Sequence, residues 1–216
     1  MGVTRSIALL GGSFDPVHNG HVALGNYFVT LLAPDELRLL PAGNPWQKPP
    51  LKASAQQRIA MLRLAFERTA VTVVIDEQEI HRNDASYTID TLRAMRSQLG
   101  PEVSLAFLIG GDQLLQLHTW KDWQALFDHA HICAASRPGF DVAVLPPEVA
   151  REFSRRGATA EQIRTTPHGL ALLGTNLAID ISATQIRAAL QHDEPVTTLV
   201  PGGVLDYIQQ HHLYKS

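Results

Sequence analysis

Short, unbroken apolar runs alternate along this chain with segments whose apolar residues recur at helical spacing. That alternation limits the fold more than any other feature. SIALLGG (6–12), ELRLLPA (36–42), VTVVID (71–76), SLAFLIG (104–110) and HICAAS (131–136) read as strands. Between them HVALGNYFVTLLA (21–33), AQQRIAMLRLAFER (55–68) and SYTIDTLRAMRSQL (86–99) read as helices, the last stopped by Gly100-Pro101. Short helices through DQLLQL and around DWQALF follow the fourth strand. Past Arg137-Pro138-Gly139 the pattern loosens, with a polar helix PPEVAREFSRR, short strands LALLG and LAIDI, and helices SATQIRAALQ (182–191) and GVLDYIQQHH. Strands without in–out alternation are buried on both faces. The expectation is therefore an α/β fold, a doubly wound parallel sheet with helices on both faces. No internal repeat, low-complexity tract or linker divides the chain, so one domain over 1–216 is expected.

Bulk properties narrow the function classes. The formal net charge is −3 and no stretch forms a basic tail, so no nucleic-acid partner is expected. No window reaches the ~18 apolar residues of a membrane span, and IALLGG is too short for a signal-peptide core. MGVTRS formally fits a myristoylation pattern, but the first strand begins at once and leaves no free arm, so no membrane partner is expected. Cys133 is the single cysteine, which rules out an intramolecular disulfide and suits a reducing, cytoplasmic setting. Within HICAAS it reads as a buried strand residue rather than a nucleophile.

In a sheet of this kind ligands bind beyond the carboxyl ends of the strands, so the segments that follow the strands carry the chemistry. The first is GGSFDPVHNGH, Gly11 to His21. Glycines at a strand end permit positive φ and let backbone amides approach an anion, while the next helix directs its N-terminal amides to the same space. His18 precedes that helix and His21 lies in its first turn, a pair suited to a polyphosphate cradle. The segment lacks the GK[ST] of a Walker loop, the GxGxxG spacing and the intervening Glu of a zincin. Capping and turn chemistry alone is the bland alternative. Near the other end, ISATQIR (181–187) places Ser182 as a helix N-cap, Thr184 in the first turn and Arg187 one turn on. Hydroxyls, free amides and a guanidinium together suit phosphate.

GGSFDPVHNGH resembles the signature of the nucleotidylyltransferase superfamily, and ISATQIR resembles its second motif. The chain is similar over essentially its whole length to the bacterial nicotinate-nucleotide adenylyltransferases. The likeness runs through QRIAML, SYTIDTL, FLIGGDQLLQLHTWKDWQALFDHAHI, SRPG and the LYKS end. It implies a Rossmann-like sheet of the nucleotidylyltransferase type. The implied reaction joins the AMP moiety of ATP to nicotinate mononucleotide, giving nicotinate adenine dinucleotide and pyrophosphate in NAD biosynthesis. It also implies Mg²⁺ carried mainly on the ATP phosphates. By the same likeness His18, His21 and Arg187 act in catalysis. Gly11, Gly12, Ser13, Phe14, Arg137, Ile181, Ser182 and Thr184 join them on ATP. Lys48, Tyr87, Thr88, Asp112 and Trp120 serve substrate, with Asp112 on a ribose hydroxyl and Trp120 stacked on the nicotinate ring.

Bland readings stand beside these. Trp120 and Trp123 at helical spacing suit a core, Asp112 a helix cap, Tyr87 and Thr88 a helix start, and Arg137 a surface turn. The other histidines show no metal-ligand spacing. The second loop, PAGNPWQKPP, departs from the family's Pro-Pro-His-Lys/Arg run but keeps a base at Lys48, and Ala183 stands where relatives often have Ser. The attacking phosphate oxygen is already ionised at neutral pH, so the reaction needs alignment and charge neutralisation rather than a general base. Alternatives are a relative using nicotinamide mononucleotide or phosphopantetheine, and a non-catalytic nucleotide-binding module.

Overall fold

The computed structural model describes residues 2–44, 50–82, 84–136, 140–177 and 181–215. Six strands form one sheet: β1 (Arg5–Gly12), β2 (Glu36–Pro41), β3 (Thr72–Ile75), β4 (Val103–Gly110), β5 (His131–Ala135) and β6 (Ala171–Gly174). All neighbours pair in parallel in the order β3-β2-β1-β4-β5-β6. The order reverses between β1 and β4, so a crevice opens there at the carboxyl ends. The helices are α1 (Asn19–Leu32), α2 (Ala55–Ala65), α3 (Thr88–Leu99), α4 (Gly111–Gln116), α5 (Pro147–Arg156), α6 (Ala160–Thr165), α7 (Ala183–Gln191) and α8 (Gly202–Gln210).

Alternate residues of the strands feed two cores. Ala8, Leu10, Ala106, Leu108 and Cys133 meet Phe28 of α1, Met61 of α2, Ile186 of α7 and Ile208 of α8. Ile7, Leu9, Leu105, Phe107 and Ile132 meet Leu92 of α3 and Val149 of α5 on the opposite face. Both faces are thus covered, as the unbroken apolar strands require. At the amino ends of β4, β5 and β6 the Arg96 guanidinium donates to the carbonyls of Gly100, Val103, His129 and Pro167, at 2.7 to 3.1 Å. It satisfies backbone acceptors that the sheet leaves open.

Three segments differ from the sequence reading. DWQALF forms a 3₁₀ helix over Trp123–Asp128, entered through Asp122 at φ 49°. α6 was not anticipated, although Thr159 and Gln162 close a reciprocal capping box at its start. Of LAIDI, Leu177 and Ile181 lie outside any strand, and 178–180 fall outside the described residues. Among the described residues no helix is long and apolar enough to cross a membrane.

The first residue of β5 adds a pH dependence. The His131 ring is fully buried; its Nε2–H donates to the Thr166 carbonyl at 2.7 Å and its Nδ1 accepts from the Leu170 amide at 3.1 Å. Both nitrogens are used by the neutral ring, and burial pulls the folded pKa down to about 4. The unfolded ring, near 6.5, binds the extra proton first. The stabilisation is therefore whole above pH 6.5 and is lost as pH falls toward 4. Urea unfolding is expected to show about 2 kcal/mol less stability at pH 5 than at pH 7 from this group. A His131→Gln chain should lose that increment, and an undiminished pH difference in it would remove His131 as the cause.

Candidate active site

β1 ends in Gly11 and Gly12, where aromatic rings pack closely over the backbone. A Cβ on Gly11 would lie 3.2 Å from the Phe107 ring, and one on Gly12 would lie 3.1 Å from the Phe14 ring. The left-handed backbone in this turn belongs to Phe14, at φ 49°, and not to the glycines. The Phe14 ring is fully buried, so only its backbone is offered to a ligand.

Asp15 comes next, 3% exposed. Its carboxylate accepts from the Lys52 amide at 2.7 Å, the Ala53 amide at 3.0 Å and the Tyr214 hydroxyl at 2.8 Å. Arg58, also buried, donates to the Ser13 carbonyl at 2.9 Å. Burial draws its pKa below the usual guanidinium value, and neighbouring Asp15 acts in the opposite sense.

His18 is the N-cap of α1 and His21 stands in its first turn. Their rings stack with centroids 3.7 Å apart and planes 28° apart, and the Phe14 ring meets His21 edge-on at 4.9 Å. The His18 amide donates to Nδ1 of His21 at 3.3 Å. An accepting Nδ1 places the proton of the neutral ring on Nε2, which makes Nε2–H a donor.

The second motif closes on the first. Ser182 caps α7, its Oγ accepting from the Gln185 amide at 3.2 Å. From the next turn Arg187 Nη1 donates to the Asp15 carbonyl at 2.7 Å, and Nη2 donates to Thr184 Oγ1 at 3.3 Å. Segments 172 residues apart are thereby joined by one guanidinium. They border a cavity of about 710 Å³ at the carboxyl ends of β1, β4 and β5. Its walls include Ser13, His18, His21, Ile181, Ser182, Thr184 and Arg187 from the two motifs, together with Asp112, so these sequence candidates border one cavity.

The remaining sequence candidates lie elsewhere. Gly11, Gly12 and Phe14 support the wall without forming it. Tyr87, Thr88 and Trp120 do not border this cavity but group beside the other core. Tyr87 is the N-cap of α3, with Lys121 Nζ 4.5 Å above its ring. Trp120 meets Phe107 edge-on at 6.2 Å, and Phe107 is the ring beneath Gly11. Phe107 thus stands between Trp120 and the turn that follows β1. Lys48 and Arg137 lie outside the described residues.

Asp15, Lys52 and Ser136 border the cavity without having been anticipated. Lys52 comes four residues after Lys48 in the sequence, and the basic character of that stretch was the signal that could have found it. Cys133 is fully buried in β5, and burial raises its thiol pKa far from the thiolate range. Among the described residues no cluster of three or more His, Cys, Asp or Glu could hold a metal ion.

Comparison with known proteins agrees with this geometry. Residues 9–189 match the family model described as cytidylyltransferase-like. The chain is 68% identical over 216 residues to a protein of Herminiimonas arsenicoxydans named "probable nicotinate-nucleotide adenylyltransferase", covering 99% of each. A protein of the same name from Chromobacterium violaceum is 44% identical over 210 residues, covering 97% of this chain and 98% of that one. Among solved structures, Plasmodium falciparum nicotinic acid mononucleotide adenylyltransferase complexed with NaAD superposes with a TM-score of 0.75 at 17% identity, covering 97% of both chains. This last likeness is one of fold.

Proposed function

Because this chain belongs to the nicotinate-nucleotide adenylyltransferases of the cytidylyltransferase-like family, we propose that it transfers the AMP moiety of ATP to nicotinate mononucleotide, releasing pyrophosphate. The observation that carries the reading is the bond from Arg187 to the Asp15 carbonyl, which assembles both phosphate motifs on one cavity.

The substrate phosphate attacks the α-phosphorus of ATP in line, and negative charge grows on the bridging oxygen as pyrophosphate leaves. Nε2–H of His21, the His18 ring and the Arg187 guanidinium are the donors that meet this charge, with the amides at the start of α1 and α7 beside them. No general base is required, which suits a cavity whose one wholly buried carboxylate, Asp15, is held by three donors. Ser13, Phe14 and Ile181 serve ATP through their backbones, and Ser182 and Thr184 through their hydroxyls. Asp112, in the first turn of α4, takes a ribose hydroxyl. Tyr87, Thr88 and Trp120, across Phe107 from the phosphate turn, receive the pyridine ring. Lys48 and Arg137 keep the roles the family likeness implies.

Mg²⁺ is held mainly by the ATP phosphates in this reading. The absence of a three-ligand cluster among the described residues suits an ion that takes most of its oxygens from phosphate and water. When bound, it neutralises triphosphate charge. The same reading places the protein in the cytoplasm.

The test follows pyrophosphate release with ATP and either nicotinate or nicotinamide mononucleotide. Turnover with the nicotinate form is expected, with kcat/KM lower by ~10-fold or more for nicotinamide, which lacks the charged acceptor. Equal or reversed preference would reassign the acceptor, and no pyrophosphate with either would end the transferase reading.

A further inference from the structure

Asp15 joins four parts of the chain. Its carboxylate holds the two amides that precede α2 and the Tyr214 hydroxyl, which comes from beyond α8, and its carbonyl holds Arg187 of α7. Tyr214 is 9% exposed, so this hydroxyl is directed inward. The two oxygens of the carboxylate are not equally supported. Oδ2 accepts from Lys52, whereas Oδ1 is shared by Ala53 and Tyr214. Without the hydroxyl, a buried anion keeps one donor on each oxygen, and Arg58 attracts it from beneath. The carboxylate and the carbonyl hang from one Cα, so the donors that anchor the carboxylate also restrain the backbone whose carbonyl holds Arg187.

We propose that Tyr214 is a positioning residue for the ATP-phosphate site, its hydroxyl fixing Asp15 so that the Asp15 carbonyl holds the Arg187 guanidinium toward the triphosphate. This rests on the adenylyltransferase reading for Arg187. The guanidiniums of Arg58 and Arg187 donate to the Ser13 and Asp15 carbonyls, so two cations stand beside the one buried Asp15 carboxylate where an anion is to bind. The Tyr214 hydroxyl keeps that carboxylate in place without adding charge.

Tyr214→Phe removes the oxygen and keeps the ring. Its affinity for a non-hydrolysable ATP analogue, read by calorimetry, is expected to fall about tenfold, the size of one lost bond to a charged acceptor. KM for ATP should rise in parallel, while KM for nicotinate mononucleotide stays within about twofold, a split that general loosening of the fold would not produce. In an Arg187→Ala background the Tyr214→Phe change should have no further effect on analogue affinity, because the path it acts through is gone. Unchanged analogue affinity in the single variant, or an equal loss in both backgrounds, would overturn the proposal. If the parent protein binds the analogue but transfers nothing to nicotinate mononucleotide, the functional reading fails, and the two titrations still decide the role of Tyr214.

Discussion

Replacing His21 with alanine should lower kcat by ~10²–10³ and leave the melting temperature near that of the parent protein. The ring lies at the rim of the cavity, half-buried, and its Nδ1 is occupied by the His18 amide. Nε2–H is the donor we propose meets the charge appearing on the bridging oxygen. Because the charge grows only as the bond breaks, the loss falls on kcat more than on KM for ATP. His21 also stacks on His18, and its removal frees that ring to turn. A His21→Asn variant, which restores a donor but not its position, should recover only part of the rate. Steady-state turnover with saturating ATP decides the matter: a rate within a few-fold of normal would take His21 out of the reaction.

The Arg187→Ala change is expected to act on two levels at once. It removes a cation from the cavity wall where we propose the triphosphate binds, and it leaves the carbonyl of buried Asp15 without its guanidinium donor. A loss of ~10³ in kcat/KM for ATP should therefore come with a melting temperature lowered by a few degrees, since an unpaired buried acceptor costs about 1–3 kcal/mol. Arg187→Lys should restore charge but not activity. A single ammonium cannot reach the Asp15 carbonyl and Thr184 Oγ1 in the forked geometry of the guanidinium. Full activity in the lysine variant would mean that charge alone is used here.

The sheet was legible because its central strands β1, β4 and β5 are apolar on both sides, as a doubly covered parallel arrangement requires. The order of its strands was not, since it depends on where each crossover returns rather than on any local pattern. The two segments that border the cavity were legible as local chemistry: glycines, paired histidines, a capped helix. Asp15 escaped notice because Asp-Pro reads as a turn. Its burial is a property of partners 37, 38 and 199 residues away. Arg58 escaped for the same reason, an arginine within an amphipathic helix being ordinarily a surface residue, whereas here it supports the Ser13 carbonyl from below. Phe14 was expected at ATP, yet its side chain is a core residue that shapes the turn and braces His21.

The tie between Asp15 and Tyr214 also sets a clock for synthesis. A ribosome adding 5–20 residues per second needs roughly 10–40 s to cover the 199 residues that separate them. For all of that interval β1 and the histidine turn exist without the partners that complete their geometry. A nascent chain can pair β1, β2 and β4 long before Arg187 and Tyr214 are made, so the cavity takes its final form only late in synthesis. Whatever stabilisation a bound ligand adds by mass action is at its fullest only once Tyr214 has emerged.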